Sequence, residues 1–233
     1  MPEDLKPNPG KNLEIEVDGE RYARYPVRTR VVNQGDDLAG VIKEFAGPFL
    51  EAGDIVFLSE KMVSISQGRA IPIKDINPSW LAKFLLKFVY KSPYGVGIGS
   101  PWTMELAVRE AGVFRILLAA FFAALTKPFG IRGVFYKVAG KGINTIDGPA
   151  PYVIPPYNQY AKLGPIEPQK TARELKEKIG YDILILDAND LGVEVLGKSN
   201  PEIADDFYKK VFKDNPLGQT NEQTPIGILR KIL

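Results

Sequence analysis

The sequence has 233 residues, of which 45% are hydrophobic and 25% are charged, and its formal net charge is +2. It contains neither histidine nor cysteine, which excludes imidazole bases, thiolate nucleophiles, disulfides and tetrahedral zinc sites. The near-neutral net charge gives no indication of nucleic-acid binding, for which a strongly basic surface is typical. No secretory signal is expected, and the absence of cysteine fits a cytoplasmic protein. Any catalysis by this chain must use carboxylates, amides, hydroxyls or cationic side chains. This set of groups favours the binding of hard divalent cations and of the phosphates that accompany them.

Taken in chain order, apolar periodicity and turn residues predict an α+β protein. The predicted strands cover residues 27–32, 55–58, 62–65, 132–138 and 183–186. The predicted helices begin at Asp36-Asp37, Asn77-Pro78, Ser100-Pro101, Thr171 and Asn200-Pro201. Three of these starts place a capping side chain before a proline, whose missing N–H costs nothing in the first turn. A group of prolines predicts two lobes with a boundary near residues 149–156.

The most apolar segment is 116–125, which has no polar side chain. It is far shorter than the roughly 20 residues that span a bilayer, and Arg115 and Lys127 bracket it. We predict a helix that is mostly buried, either in the core or against a second subunit. The alternative is a helix that lies in a membrane interface.

The densest group of acids and amides follows a wholly apolar run. Residues 183–186 are all isoleucine or leucine, and Asp187, Asn189 and Asp190 come soon after them. Such a run is typical of a strand that is buried on both faces, and the ends of such strands are where α/β proteins bind ligands. Asp187 is therefore the first candidate for a catalytic or metal-binding carboxylate.

A second oxygen-rich element is the turn 142–148, in which Asn144 and Asp147 lie between glycines. If strand pairing brings Asp187 alongside, the three side chains form an oxygen-ligand metal site. Spacing alone gives more weight to another interpretation, an Asx turn in which these side chains bond their own backbone.

Two further polar segments offer groups that suit a nucleotide. Residues 53–69 contain hydroxyl and cationic donors that bind phosphate oxygens, although an ordinary hairpin has the same pattern. Residues 218–225 form a polar loop that could read a nucleotide, complete a metal shell or be a solvated turn. The candidate nucleotide-binding residues in these segments are Lys61, Ser64, Arg69, Gln219 and Glu222.

Residues 192–199 match the letters of the Walker A pattern, which is typical of P-loop phosphotransferases. A phosphate loop needs small flexible residues between its glycines and a helix that begins at the Lys198-Ser199 pair. Here the intervening residues predict a strand, and the next helix begins only at Asn200-Pro201. The context therefore favours a strand followed by a turn and a capped helix.

The order of these motifs resembles that of the coenzyme F420-0 gamma-glutamyl ligase family. The resemblance spans about residues 28–232, and the segments that support it are 35–39, 53–56, 63–69, 142–144, 187–189 and 218–225. It implies mixed β-sheets flanked by helices, with an N-terminal tail and first strand in residues 1–26 and a ligase-like domain in residues 27–233. It also implies a homodimer.

The resemblance implies a ligase that uses GTP and a divalent metal, Mg²⁺ or Mn²⁺. Such an enzyme joins L-glutamate through a gamma-glutamyl link to a carboxylate acceptor, the deazaflavin coenzyme F420-0. The acceptor carboxylate is activated as an acyl phosphate, which the glutamate amine then attacks. The protein must shield the triphosphate and keep the acyl phosphate away from water, and neither task needs histidine.

Carried over residue by residue, the resemblance implies metal ligands at Asn144, Asp147 and Asp187 and a nucleotide loop at Gln219 and Glu222. The family has an acid where this chain has Asn144 and an asparagine where it has Asp147, so the turn keeps one carboxylate and one amide. The family's threonine ligand after the strand-end acid is Ala188 here, and one acid of the nucleotide loop is Gln219.

These departures leave two functions open beside the P-loop alternative. The first is a ligase whose acceptor is F420-0 or a different carboxylate such as a folate. The second is a protein that binds a nucleotide or metabolite on the same fold without catalysis, because charges or ligands are lost at positions 144, 188 and 219.

Overall fold

The computed structural model describes residues 5–89, 97–131, 133–140, 142–189, 192–218 and 221–232. The chain divides into two compact units. We call residues 1–68 and 165–233 the sheet unit and residues 69–164 the helical unit. The proline-rich stretch 149–156, where we expected a lobe boundary, lies inside the helical unit.

Strands and helices alternate along the described part of the chain. The strands are β1 (Glu14–Val17), β2 (Glu20–Val27), β3 (Ile55–Ser59), β4 (Ala70–Pro72), β5 (Tyr160–Lys162), β6 (Asp182–Asn189), β7 (Gly192–Lys198) and β8 (Ile226–Ile232). The helices are α1 (Leu38–Phe45), α2 (Glu60–Ser66), α3 (Trp80–Leu85), α4 (Pro101–Ala111), α5 (Val113–Thr126), α6 (Val134–Ala139), α7 (Pro168–Ile179) and α8 (Asp205–Val211).

The sheet unit is built on a six-stranded sheet with the order β1-β2-β8-β3-β6-β7. β3 and β6 are parallel, and the other neighbouring pairs are antiparallel. Successive side chains of a strand point to opposite faces, so Val56 and Ile183 pack with α1, α2 and α7. Phe57 and Leu184 pack on the other face with α8. A mixed sheet with helices on both faces confirms the predicted α+β class.

The predicted helix starts are confirmed where a capping side chain stands directly before the helix. Asp37 accepts hydrogen bonds from the backbone N–H groups of Ala39 and Gly40 at the start of α1. Ser100 and Thr103 form a capping box at the start of α4.

Two predicted starts lie too early, and one lies too late. The cap of α3 is Ser79 rather than Asn77. α8 begins at Asp205, because Asn200 instead accepts a hydrogen bond from the Glu202 N–H in a turn. The helix predicted from Thr171 begins at Pro168, three residues earlier.

Three strand predictions are wrong, wholly or in part. Residues 62–65 belong to helix α2, because their three apolar residues are too few to show a period that separates strand from helix. Residues 134–139 form helix α6, which packs against α5, so packing overrides the β-branched and aromatic composition. The strand predicted at 27–32 lies earlier in the chain, at Glu20–Val27. Beyond it, the Thr29 N–H donates to the carbonyl of Gln223 in the loop before β8.

The helical unit has its own core, which includes Met104, Leu106, Ile116 and Ile143. In α5 only Ile116 and Ala119 are buried. The exposed apolar residues of α5 are Val113, Phe114, Leu117, Leu118, Phe121, Phe122 and Leu125. The prediction that this helix is a core helix of the chain is therefore wrong, while its burial against a second subunit stays a prediction. No described helix is long and apolar enough to cross a membrane.

Candidate functional site

One edge of the six-stranded sheet collects most of the polar residues that the sequence singled out. β3 and β6 are parallel, with Ser59 opposite Leu186, so both strands end at this edge. β2 also ends there and β8 begins there, because Val27 lies opposite Ile226. We call this part of the sheet unit the polar edge. Its residues are Arg28, Thr29, Ser59, Glu60, Lys61, Asp187, Asn189, Glu222 and Gln223.

Asp187 lies near the end of β6, where the strand passes from buried to half-buried residues. Its carboxylate is 3.4 Å from the Nδ2 of Asn189, which donates to it. Residues two apart in a strand share a face, so Asp187 and Asn189 present their oxygens on one side of β6. Ala188 points to the opposite face and packs against the core on that side.

The turn from β3 into α2 adds a second carboxylate, which sequence reasoning missed. Glu60 is the first residue of α2 and is almost fully buried. It accepts a hydrogen bond of 3.1 Å from the hydroxyl of Ser64. A carboxylate in the first turn is stabilised by the helix dipole. Its signal in the sequence is the same as that of Asp187, an acid directly after an apolar strand.

Two of the predicted nucleotide-binding residues lie on α2 in different surroundings. Lys61 is half-buried in the first turn, at the polar edge. Ser64 is completely buried, and its hydroxyl donates to Glu60. Ser64 therefore supports the carboxylate of Glu60, and its role in nucleotide binding stays a prediction.

The loop before β8 brings Glu222 to the polar edge. A Cβ on Gly218 would lie 2.5 Å from the side-chain carboxyl carbon of Glu222, so this side chain would have to move if residue 218 were larger. The neighbouring Gln223 donates through Nε2 to the carbonyl of Thr29 at 2.6 Å, and its carbonyl accepts from the Thr29 N–H at 3.1 Å. Gln219 lies outside the described residues.

The N-terminal segment holds the same loop from its other side. Asn8 donates through Nδ2 to the carbonyl of Pro216 at 2.9 Å and to the hydroxyl of Thr224 at 2.8 Å. Lys11 donates to the carbonyl of Asp214 at 2.6 Å. The loop that carries Glu222 is therefore fixed by residues that the sequence analysis assigned to a tail.

Arg69 belongs to the helical unit, where its guanidinium is engaged by protein groups. It forms an ion pair of 2.6 Å with Glu110 and donates through Nε to the carbonyl of Gly164 at 2.9 Å. These contacts hold β4 and α4 together within the unit. A role for Arg69 in phosphate binding stays a prediction.

The turn 142–148 also belongs to the helical unit. Asn144 is exposed in this turn. The Asp147 Oδ1 accepts a hydrogen bond of 2.9 Å from the N–H of the next residue, Gly148. The Asp147 Oδ2 lies 3.9 Å from the Nζ of Lys162, a buried lysine that sequence reasoning missed. The described residues contain no group of three Asp or Glu that could hold a metal.

The predicted metal set is thus divided between the units. Asn144 and Asp147 lie in the helical unit, and Asp187 lies in the sheet unit. Each is placed in a polar setting by its own unit, and their combination as ligands of one cation stays a prediction.

The segment that matches the Walker A letters is strand β7, as the context of the sequence predicted. A Cβ on Gly197 would lie 2.3 Å from the carbonyl oxygen of Pro168, so this glycine lets α7 approach the strand. The Nζ of Lys198 donates to the carbonyl of Ile203 at 2.6 Å and pairs with Asp205 at 2.7 Å. The segment lacks the glycine-rich loop and helix start of a P-loop.

Ser199, the last residue of that pattern, binds the opposite end of β6 from the polar edge. Its hydroxyl donates to Asp182 at 2.9 Å. Burial alone would raise the pKa of Asp182, but hydrogen bonds from Lys176, Ser199 and Asn200 hold it below its usual value. This carboxylate is therefore structural and fastens β6 to its neighbours.

Residues 26–134 match the model of the F420-0:Gamma-glutamyl ligase family. The coenzyme F420:L-glutamate ligase of Methanopyrus kandleri is 29% identical over 233 residues, which cover 86% of this chain and 83% of that protein. An uncharacterized protein of Methanocaldococcus jannaschii is 27% identical over 178 residues, which cover 71% of this chain but only 56% of that protein. The family match includes β3 and α2 of the polar edge, and the first relative aligns along most of the chain. The chain is therefore similar to the F420-0:Gamma-glutamyl ligase family over residues 26–134, a little under half of its length.

Proposed function

We propose that the protein is a metal- and GTP-dependent ligase that forms a gamma-glutamyl amide bond on a coenzyme carboxylate such as that of F420-0. The match of residues 26–134 to the family model and the name of the Methanopyrus kandleri relative support a glutamate ligase. The observation that carries the proposal is the polar edge. There, Asp187 lies near the end of β6, Lys61 follows the end of β3, and Glu222 lies in the loop before β8.

The reaction needs two transfers, in which atoms and charges balance. A carboxylate oxygen of the acceptor attacks the γ-phosphorus of GTP, and GDP leaves with the electron pair of the broken P–O bond. The amine of glutamate then attacks the acyl carbon, phosphate leaves, and the amine loses a proton to form the amide. No step needs a histidine or a cysteine.

The polar edge suits the first transfer by the chemistry of its donors. Asp187 and Asn189 offer hard oxygen ligands, which are the ligands that Mg²⁺ and Mn²⁺ prefer, and Mg²⁺ needs only one or two carboxylates when phosphates complete its shell. A bound cation would neutralise the charge that develops on the transferred phosphoryl group. Lys61 supplies a positive charge for the phosphates, and Glu222 can position a nucleotide or an amine.

The remaining predicted residues extend this proposal. Asn144 and Asp147 are proposed as further metal ligands, and Arg69 and Gln219 as further nucleotide contacts. The family resemblance also supports a homodimer. The acceptor is proposed as F420-0, with a folate or another carboxylate as the alternative.

A second candidate is a protein that binds a nucleotide or a metabolite without turnover. The observation that favours it is Ala188, which packs into the core and offers no oxygen at the position after the strand-end acid. Such a protein would keep its affinity for nucleotide but release no phosphate with any acceptor.

The first experiment is the thermal melting shift with GTP, GDP and ATP, each with and without Mg²⁺ or Mn²⁺. A ligand at about 100 times its dissociation constant stabilises the folded state by about 2.7 kcal/mol. We expect a metal-dependent shift with guanine nucleotides, followed by phosphate release when F420-0 and glutamate are added. A shift without turnover would support the binding protein, and no shift with any nucleotide would contradict the ligase and leave only a protein that binds a different metabolite.

A further inference from the structure

The two units of the chain have opposite charges. The helical unit contains twelve Lys and Arg residues and four Asp and Glu residues, which give it a formal charge of +8. Because the whole chain has a charge of +2, the sheet unit has a charge of −6. Two of the acids in the helical unit, Glu105 and Glu110, form ion pairs with Arg109 and Arg69. The helical unit is therefore strongly basic.

Helix α5 of this basic unit exposes a continuous apolar face. Phe114, Leu117, Phe121 and Leu125 recur at the helical spacing, and each is exposed, with 76% of Phe114 and 57% of Phe121 open to solvent. The opposite side of the helix packs on the unit through residues such as Ile116. Exposed apolar patches of this kind mark interaction sites on proteins. We call the exposed apolar side chains of residues 113–125 the α5 face.

Basic side chains surround the α5 face. Arg115, Lys127 and Lys137 are all exposed: Arg115 lies in the first turn of α5, Lys127 follows its last residue, and Lys137 lies on α6, which packs against α5. Residues 111–146 contain five basic residues and no acidic residue. Phe129, just beyond the helix, is 80% exposed.

We propose that the α5 face docks the protein on an anionic lipid surface, lying in the interface rather than crossing it. Phenylalanine and leucine side chains insert at the boundary between headgroups and acyl chains, and lysine and arginine bind the acidic headgroups. A second copy of the chain fits this face less well. A twofold contact brings the same surface of both copies together, so Lys127 and its basic neighbours would meet their own like charges.

The test is flotation of the full-length protein with phosphatidylcholine vesicles, with and without phosphatidylglycerol. We expect binding to the vesicles that contain phosphatidylglycerol, and we expect added salt to weaken it because headgroup charges are screened. Phe121→Asp and Leu117→Asp should each reduce binding about tenfold or more, because a charge must then enter the acyl boundary. Lys127→Glu should reduce binding to the anionic vesicles only.

Ile166→Asp is the matched control, since Ile166 is also an exposed apolar residue but belongs to the sheet unit. It should leave vesicle binding unchanged. All four substitutions are at exposed positions, and equal melting temperatures will check that they fold. The proposal would be overturned by absence of binding to anionic vesicles, by equal binding to neutral ones, or by a dimer in solution that Phe121→Asp dissociates.

Discussion

The sheet unit and the helical unit differ in how far their most apolar segments are buried. In the sheet unit, residues 183–186 are covered by helices on both faces of the sheet, and the polar groups are gathered at one edge. In the helical unit, the equally apolar residues 116–125 are covered on one side only. An apolar run in the sequence therefore does not by itself show that its side chains are buried. Burial depends on which other elements pack against the run.

The two units also differ in charge, which the net charge of the whole chain does not show. A net charge of +2 describes neither a unit with −6 nor a unit with +8. The acidic unit carries Asp187, Glu60 and Glu222, which suit a cation with its phosphates. The basic unit carries the α5 face, which suits an acidic surface. Four experiments would sharpen or break this division of roles, in order of decreasing effect.

The largest effect is expected for Asp187→Asn in the sheet unit. Loss of the carboxylate should reduce the rate of phosphate release by about 100-fold or more, because even outer-shell partners of a metal are worth roughly 10–100-fold. The measurement is GTP turnover with saturating metal. Asp206→Asn, at an exposed acid of α8, should have no effect. If Asp147→Asn is as damaging as Asp187→Asn, the helical unit shares the metal site and the division is less sharp than we infer.

A large loss of stability is expected for Gly227→Ala in β8. The added Cβ would lie 2.1 Å from the ring of Phe57, and such overpacking costs about 1–3 kcal/mol in the free energy of unfolding. Urea denaturation measures the change. Ala124→Leu, at an exposed position of α5, should change stability by less than about 0.5 kcal/mol. Equal effects at both positions would show that the two units are packed alike.

A smaller, pH-dependent loss is expected for Asp182→Asn. The pKa of Asp182 is lowered in the folded protein, so its carboxylate stabilises the fold above the unfolded pKa of about 3.9 and loses this effect as pH falls through the folded value. At about pH 7 the variant should be less stable by about 1–2 kcal/mol. The urea midpoints of the variant and the wild type should move closer together as pH falls below the unfolded pKa of about 3.9. A gap that stays constant with pH would show that the charge of Asp182 is not the cause.

The smallest effect is expected for Lys198→Ala. Lys198 pairs with Asp205 and belongs to a strand, so its loss should leave the melting shift with GTP unchanged within experimental scatter. The comparison uses the shift and not the melting temperature itself, because removal of an ion pair lowers stability by up to about 1 kcal/mol. Lys61→Ala is the matched cation at the polar edge and should reduce the shift. Loss of the shift in Lys198→Ala alone would restore the P-loop alternative.

Much of the sheet unit could be predicted because its signals are local. The strands at 55–58 and 183–186 are apolar on both faces, and Asp37 is a side-chain cap that acts within three residues. The helix α2 could not be separated from a strand, since its apolar residues are too few to show a period. The role of the N-terminal segment depends on contacts between Asn8 and Pro216, which no local pattern records.

The candidate site shows the same limit. Asp187 could be found because an acid follows an apolar strand, and the same rule would have found Glu60. The burial of Ser64 and the ion pair of Arg69 with Glu110 could not be found, because each depends on packing between residues that are distant or on opposite sides of a helix. The buried Lys162 near Asp147 is another contact of this kind.

The division of the sheet unit into two stretches of sequence has a consequence for synthesis on the ribosome. Strand β3 lies at the centre of the sheet, yet Ile55 pairs with Asp182 and Leu229. The whole helical unit is translated before either partner strand exists. At roughly 5–20 residues per second, β3 waits several seconds with its apolar residues unpaired. Until β6 and β8 are made, only nearby elements such as α1 and α2 can cover these residues, and pairing over such distances makes the sheet slow to form.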